Sequence, residues 1–163
     1  QRGTPYRGVL YAGLMIQDAQ PYTLEFNCRF GDPETQVLMP LLQNDLLGVA
    51  YGVATGALEA TELAFERRAA VCVVLASGGY PGEYRTGLPI EGLDAAAKLP
   101  DTLIFHAGTR AANGHILTHG GRVLNIVGLG DTIDAARQNA YCAAAQIHFD
   151  GMHYRRDIAE SVL

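Results

Sequence analysis

The sequence predicts an α+β chain with antiparallel pairing, on three observations. Residues 7–16 and 22–30 are strand-like runs joined by the turn QDAQP at 17–21, which predicts a hairpin. Asn113-Gly114, a strong two-residue hairpin signal, separates further strand-like runs at 101–110 and 115–130. Residues 131–149 carry the spacing of an amphipathic helix with small, Ala-rich faces.

The remaining elements follow in order. Residues 34–58 have helical spacing, and Pro40 and Asn44-Asp45 divide them into two helices, with Asn44 or Asp45 capping the second. The charged stretch 62–68 links two subdomains. AAVCVVLAS at 69–77 is a continuous apolar run, the mark of a strand covered on both faces. Residues 78–89 form a Gly/Pro-rich loop and 92–99 a short helix. Asp131 or Thr132 caps the helix that follows, and a final short helix is expected over 154–163.

Bulk properties exclude several classes. With 48% hydrophobic and 18% charged residues, the 163-residue chain can bury a core. A net charge of −5 argues against nucleic acid or an anionic membrane as partner, since both favour a basic face. No apolar run approaches the ~18 residues of a membrane span. Cys28, Cys72 and Cys142 are scattered and lie in apolar stretches, so they are expected to be small buried hydrophobes in a reducing, cytoplasmic setting. The chain begins with Gln rather than Met and is expected to be a piece of something longer. A two-stranded hairpin is marginal alone. Its partner strands are therefore expected ahead of Gln1.

The chemistry concentrates in LEFNCRFGDPETQ, residues 24–36. Strand alternation puts Leu24, Phe26, Cys28 and Phe30 on one face, expected to pack a core, and Glu25, Asn27 and Arg29 on the other. Residues two apart on a strand are ~6.5–7 Å apart, so oxygen-bearing side chains at such positions can converge on one hard cation. Arg29 can fork onto a phosphate or carboxylate. Asp32 and Glu34 follow in a turn fixed by Gly31 and Pro33. The alternative is a merely solvated strand face, with Asp32 as N-cap, Pro33 at the first helical position and Glu34 in the first turn.

At these residues the sequence resembles the end of the ATP-grasp domain in the phosphoribosylamine–glycine ligase (glycinamide ribonucleotide synthetase) family. YRGVLYAGLMI, VVLASGGYPGEY, FHAGT, GGRVLNIVGLGDT and IHFDGMHYRRDI extend the resemblance, in order, over nearly the whole chain. It implies that residues 1–61 close an ATP-grasp domain and 62–163 form a small, mainly antiparallel C-terminal β subdomain with flanking helices. It implies ATP-dependent ligation of glycine to 5-phosphoribosylamine through glycyl phosphate, in purine biosynthesis. Glu25 and Asn27 become the Mg²⁺ or Mn²⁺ ligands, Arg29 the phosphoryl-stabilising cation, and Asp32 and Glu34 the residues that orient the amine. The partners implied are ATP, glycine, 5-phosphoribosylamine and an N-terminal part of the same enzyme, without which the chain is expected to be inactive. Two other readings stand beside this one: a segment of another ATP-grasp carboxylate–amine ligase or carboxylase, and a non-catalytic docking module. SGGYPGEY reads as a connector, and Arg110 and Arg122 as surface arginines.

Overall fold

The computed structural model describes residues 3–58 and 62–160. The chain divides into two compact units, Gln1–Thr35 with Leu42–Glu66, and Gln36–Leu41 with Arg67–Leu163. The α+β expectation holds, with every named strand pair antiparallel.

The first unit carries the expected hairpin, β1 (Tyr11–Gln17) and β2 (Gln20–Asn27). Asp18 and Ala19 turn it with φ of 50° and 60°, the left-handed pair that suits a two-residue hairpin loop. The register pairs Gly13 with Glu25 but Leu14 with Thr23, so Leu24 is the extra residue of a β-bulge. After the turn come α1 (Glu34–Leu38) and a 3₁₀ turn, Met39–Leu41, of which Gln36–Leu41 count with the second unit before the chain returns to the first at Leu42. Pro40 has no N–H to continue α1. In α2 (Leu46–Thr55) Asp45 is the N-cap, accepting from the Leu47 amide at 3.1 Å, and Gly56 closes the end with φ of 73°. Asn44 instead ties down the following segment: its Oδ1 accepts from the Ala64 amide at 2.6 Å.

Two expectations about this unit fail. Leu24 and Phe26 are 66% and 62% exposed, and Cys28 is exposed too. The apolar face therefore packs no core here, because a two-stranded ribbon supplies no second layer. Phe30 alone is partly covered, lining an apolar groove of about 270 Å³ with Val9, Leu46, Val49 and Val53. The cysteines are not uniformly buried either. Cys142 is exposed and Cys72 half-buried. Cys142 follows the buried Ala140 by two positions, which turns it off the packed face of its helix.

The second unit holds the core. β3 (Ala69–Ala76), β7 (Arg122–Gly130) and β4 (Thr102–His106) form a sheet in the order β3-β7-β4. α4 (Ile133–Ala144) lies across it, with Thr132 as N-cap, and Ala136, Ala140, Ala143 and Ala144 are fully buried in the same cluster as Val71, Val73, Leu75, Leu124 and Ile126. The approach is close because β7 offers no side chain at Gly128: a Cβ there would overlap the Ala136 carbonyl and the Ala140 amide. α3 (Leu93–Ala96) is the expected short helix, and Ile147 and Phe149 close the core.

Two expected long strands are each broken in two. β4 ends at His106 and β5 (Thr109–Ala112) begins a separate pair with β6 (His115–Thr118), which precedes β7. The breaks face each other. Gly108 sits against Gly120, so close that a Cβ on Gly108 would lie 2.6 Å from the Gly120 Cα. Asn113-Gly114 turns β5 into β6 with φ of 51° and 78°, as expected. No α-helix forms over 154–160, and residues 161–163 lie outside the described residues. Side chains of α4 take up the backbone there instead: Arg137 donates to the Ile158 and Arg156 carbonyls, and the Tyr141 hydroxyl donates to the Arg155 carbonyl and accepts from the Ile158 amide.

Candidate functional site

The candidate site lies on one face of the β1–β2 hairpin and in the turn after it. Strand pairing places Tyr11 opposite Asn27 and Gly13 opposite Glu25. Directly opposed residues share a face, so Tyr11, Gly13, Glu25 and Asn27 do. Gly13 leaves room for its neighbour: a Cβ there would meet the Glu25 Cγ at 3.2 Å.

The structure brings Glu25, Asn27 and Arg29 together as a hydrogen-bonded row. Asn27 Nδ2 donates to Glu25 Oε1 at 2.9 Å, and Arg29 Nη2 donates to Asn27 Oδ1 at 3.3 Å. Arg29 lies beyond the end of β2, where its Nη1 also donates to the Phe30 carbonyl at 2.8 Å. The row depends on Asn27, whose amide is the one group that can donate to the carboxylate and accept from the guanidinium.

Glu34 opens α1 and reaches back to the hairpin, where Tyr11 Oη donates to its Oε1 at 3.0 Å. Its other oxygen lies over the buried Gly31, where any Cβ would overlap it. The hydrogen bond to Glu34 and that residue's charge raise the Tyr11 phenol above its ordinary pKa, assisted by Glu25 and opposed by Arg29. Tyr11 therefore stands in the field of all three charged groups. Asp32 is exposed in the turn ahead of α1, which begins at Glu34. Sequence reasoning missed Tyr11. Its signal was the cross-strand register, which depends on the two-residue turn and the bulge at Leu24.

Among the described residues no group of three or more His, Cys, Asp and Glu side chains is placed to hold a metal ion. Glu25 with the Asn27 amide is thus the candidate pair. No helix of the described residues is long and apolar enough to cross a membrane.

The class comes from family models that match both parts of the chain: phosphoribosylglycinamide synthetase, ATP-grasp (A) domain, matches residues 1–35, and phosphoribosylglycinamide synthetase, C domain, matches 70–161. Phosphoribosylamine–glycine ligase of Caldanaerobacter subterraneus subsp. tengcongensis is 48% identical over 159 residues, 98% of this chain and 37% of that protein. The ligase of the same name from Synechocystis sp. is 50% identical over 165 residues, 100% of this chain and 39% of that protein. The crystal structure of phosphoribosylamine–glycine ligase from Thermotoga maritima matches with a TM-score of 0.79 at 42% identity, covering 95% of this chain and 38% of that one. The chain belongs to the phosphoribosylglycinamide synthetase family. It spans less than two fifths of the length of these relatives.

Proposed function

We propose that this chain supplies the metal-and-phosphate edge of a cytoplasmic, ATP-dependent ligase that joins glycine to 5-phosphoribosylamine. In this reading residues 1–61 close the ATP-grasp domain and 62–163 form the C-terminal domain. The relatives carry the same activity in their names over a length more than twice that matched here, so turnover is assigned to the longer protein and not to this chain alone.

The row Glu25–Asn27–Arg29 carries the proposal. Glycine's carboxylate attacks the γ-phosphorus of ATP, ADP leaves, and glycyl phosphate results. The amine then attacks the glycyl carbonyl, phosphate leaves, and the nitrogen loses a proton. Phosphoryl transfer of this kind depends on positioning and charge neutralisation. Glu25 and Asn27 fit a Mg²⁺ or Mn²⁺ ion by donor chemistry, one carboxylate and one neutral amide oxygen, both hard. Asn27 Nδ2 meets Glu25 Oε1 at 2.9 Å, so the two side chains are adjacent, with the amide oxygen turned toward Arg29. Glu25 and Asn27 would hold such a cation, which would supply charge neutralisation for the phosphates. Arg29 presents a guanidinium beside that pair, suited to a phosphoryl group. Asp32 and Glu34 follow on the same loop and are assigned to the amine.

The test uses the full-length enzyme that contains this chain. ADP release is measured with and without glycine and 5-phosphoribosylamine, across a Mg²⁺ titration. Glu25→Gln combined with Asn27→Ala is expected to abolish release or to move its Mg²⁺ midpoint strongly upward. Unchanged activity with an unchanged midpoint sinks the assignment. ADP release that needs bicarbonate in place of glycine favours the carboxylase alternative.

A further inference from the structure

We propose that Tyr11 is a positioning residue of this site, whose phenol holds the Glu34 carboxylate for the amine substrate and keeps it off the cation pair. The inference rests on the ligase reading above and extends it to a residue which that reading does not use.

The geometry brackets Glu34 on both sides. Tyr11 Oη donates to Oε1 at 3.0 Å, and Oε2 occupies the space over Gly31 that a Cβ would otherwise fill. Tyr11 is itself fixed by strand pairing opposite Asn27. A phenol has one proton to give, and here it goes to Glu34.

Without this restraint Glu34 has two stronger attractions within the site. One is the Arg29 guanidinium, which is hydrogen-bonded to Asn27, the residue opposite Tyr11. The other is a cation held by Glu25 and Asn27, which a second carboxylate would bind further. Either move withdraws Glu34 from the amine. The bond from Tyr11 is a neutral donor on a charged acceptor, the stronger kind of protein hydrogen bond.

The experiment compares Tyr11→Phe, Glu34→Gln and the double variant in the full-length enzyme. Tyr11→Phe is expected to lower kcat/KM for the amine by about tenfold to a hundredfold. KM for ATP and the Mn²⁺-binding midpoint, measured by electron paramagnetic resonance without substrates, should stay within about a factor of two, since the cation pair is untouched. The double variant should fall no further than the worse single one, because Tyr11 acts through Glu34. Losses that multiply overturn the proposal, as does a Mn²⁺ midpoint that moves in Tyr11→Phe as far as in Glu25→Gln. Should Tyr11→Phe lower the unfolding temperature enough to obscure the comparison, Gly31→Ala displaces the same carboxylate from its other side. The same amine-selective loss is then expected, and an unaffected kcat/KM for the amine overturns the proposal. A wild-type enzyme with no glycine- and amine-dependent ADP release removes the ligase reading and this inference together. Normal turnover with multiplicative variants removes this inference alone.

Discussion

Asn27 donates its amide hydrogen to Glu25 and accepts from Arg29 through its oxygen. A cation on the Glu25 side needs the amide oxygen there instead, so binding requires the amide to turn over. Once turned, Nδ2 faces Arg29, donor against donor, and Nη2 of the guanidinium loses its acceptor while Nη1 keeps the Phe30 carbonyl. On the proposed reading, cation binding would thereby free Nη2 of Arg29 for a phosphate. Asn27→Asp should uncouple the two events, since a carboxylate offers oxygen to both sides. We expect it to tighten Mg²⁺ binding by ~1 kcal/mol or more, about fivefold, through the added charge. Turnover should nevertheless fall, because Arg29 stays engaged. Calorimetric Mg²⁺ titration without nucleotide checks the first part, and weaker binding would contradict it. This asymmetry was not legible in the sequence, although the residues were. Period-two spacing marks Glu25 and Asn27 as neighbours, but which amide atom meets which charge depends on the folded row.

At the level of elements, α4 and β7 stand or fall on a missing side chain. Gly128 lets Ala136 and Ala140 lie directly on the strand. Gly128→Ala should lift the helix from the sheet and cost ~1–3 kcal/mol, as overpacked cores do. Denaturant unfolding of a chain containing the second unit reads this, and unchanged stability would refute it. Asn125 has the opposite expectation. It is buried at the centre of β7, and its Oδ1 has no hydrogen-bond partner among the described residues. Asn125→Val removes the orphan acceptor at similar volume and adds a good strand former, so stability should rise by ~1 kcal/mol. The apolar run of β3, the Asn113-Gly114 hairpin and the cap of α4 were legible because each is set by residues close in the chain. The breaks near Gly108 and Gly120 were not, because each glycine marks a close approach only when its partner across the sheet is known. The stretch 154–160 was misread for a related reason. Its helical spacing is real, but α4 side chains 14 to 21 residues earlier in the chain claim its backbone groups.

For the whole chain, the balance of charge and exposed apolar surface sets behaviour in solution. The hairpin exposes Leu14, Met15, Ile16, Tyr22, Leu24 and Phe26, each more than half accessible. Residues on both of its faces are in that set, and among the described residues no further strand pairs with its two outer edges. An edge of this kind is a template for pairing with another strand. A contiguous apolar patch promotes association as well. The net charge of −5 opposes this only weakly at physiological ionic strength, where repulsion is screened beyond ~8 Å. The isolated chain is therefore expected to self-associate with rising concentration, through the hairpin and not through the packed second unit. Light scattering coupled to size exclusion measures this directly. Replacing Ile16 and Leu24 by Lys places charge on both strands, and it should shift the population toward monomer without lowering the stability of the second unit. The site row should be unaffected, since Glu25 and Asn27 share a face with Tyr11 and Gly13 and not with Ile16. A chain that stays monomeric at every concentration, or a double-lysine variant that associates as strongly as the parent, would place the association surface elsewhere.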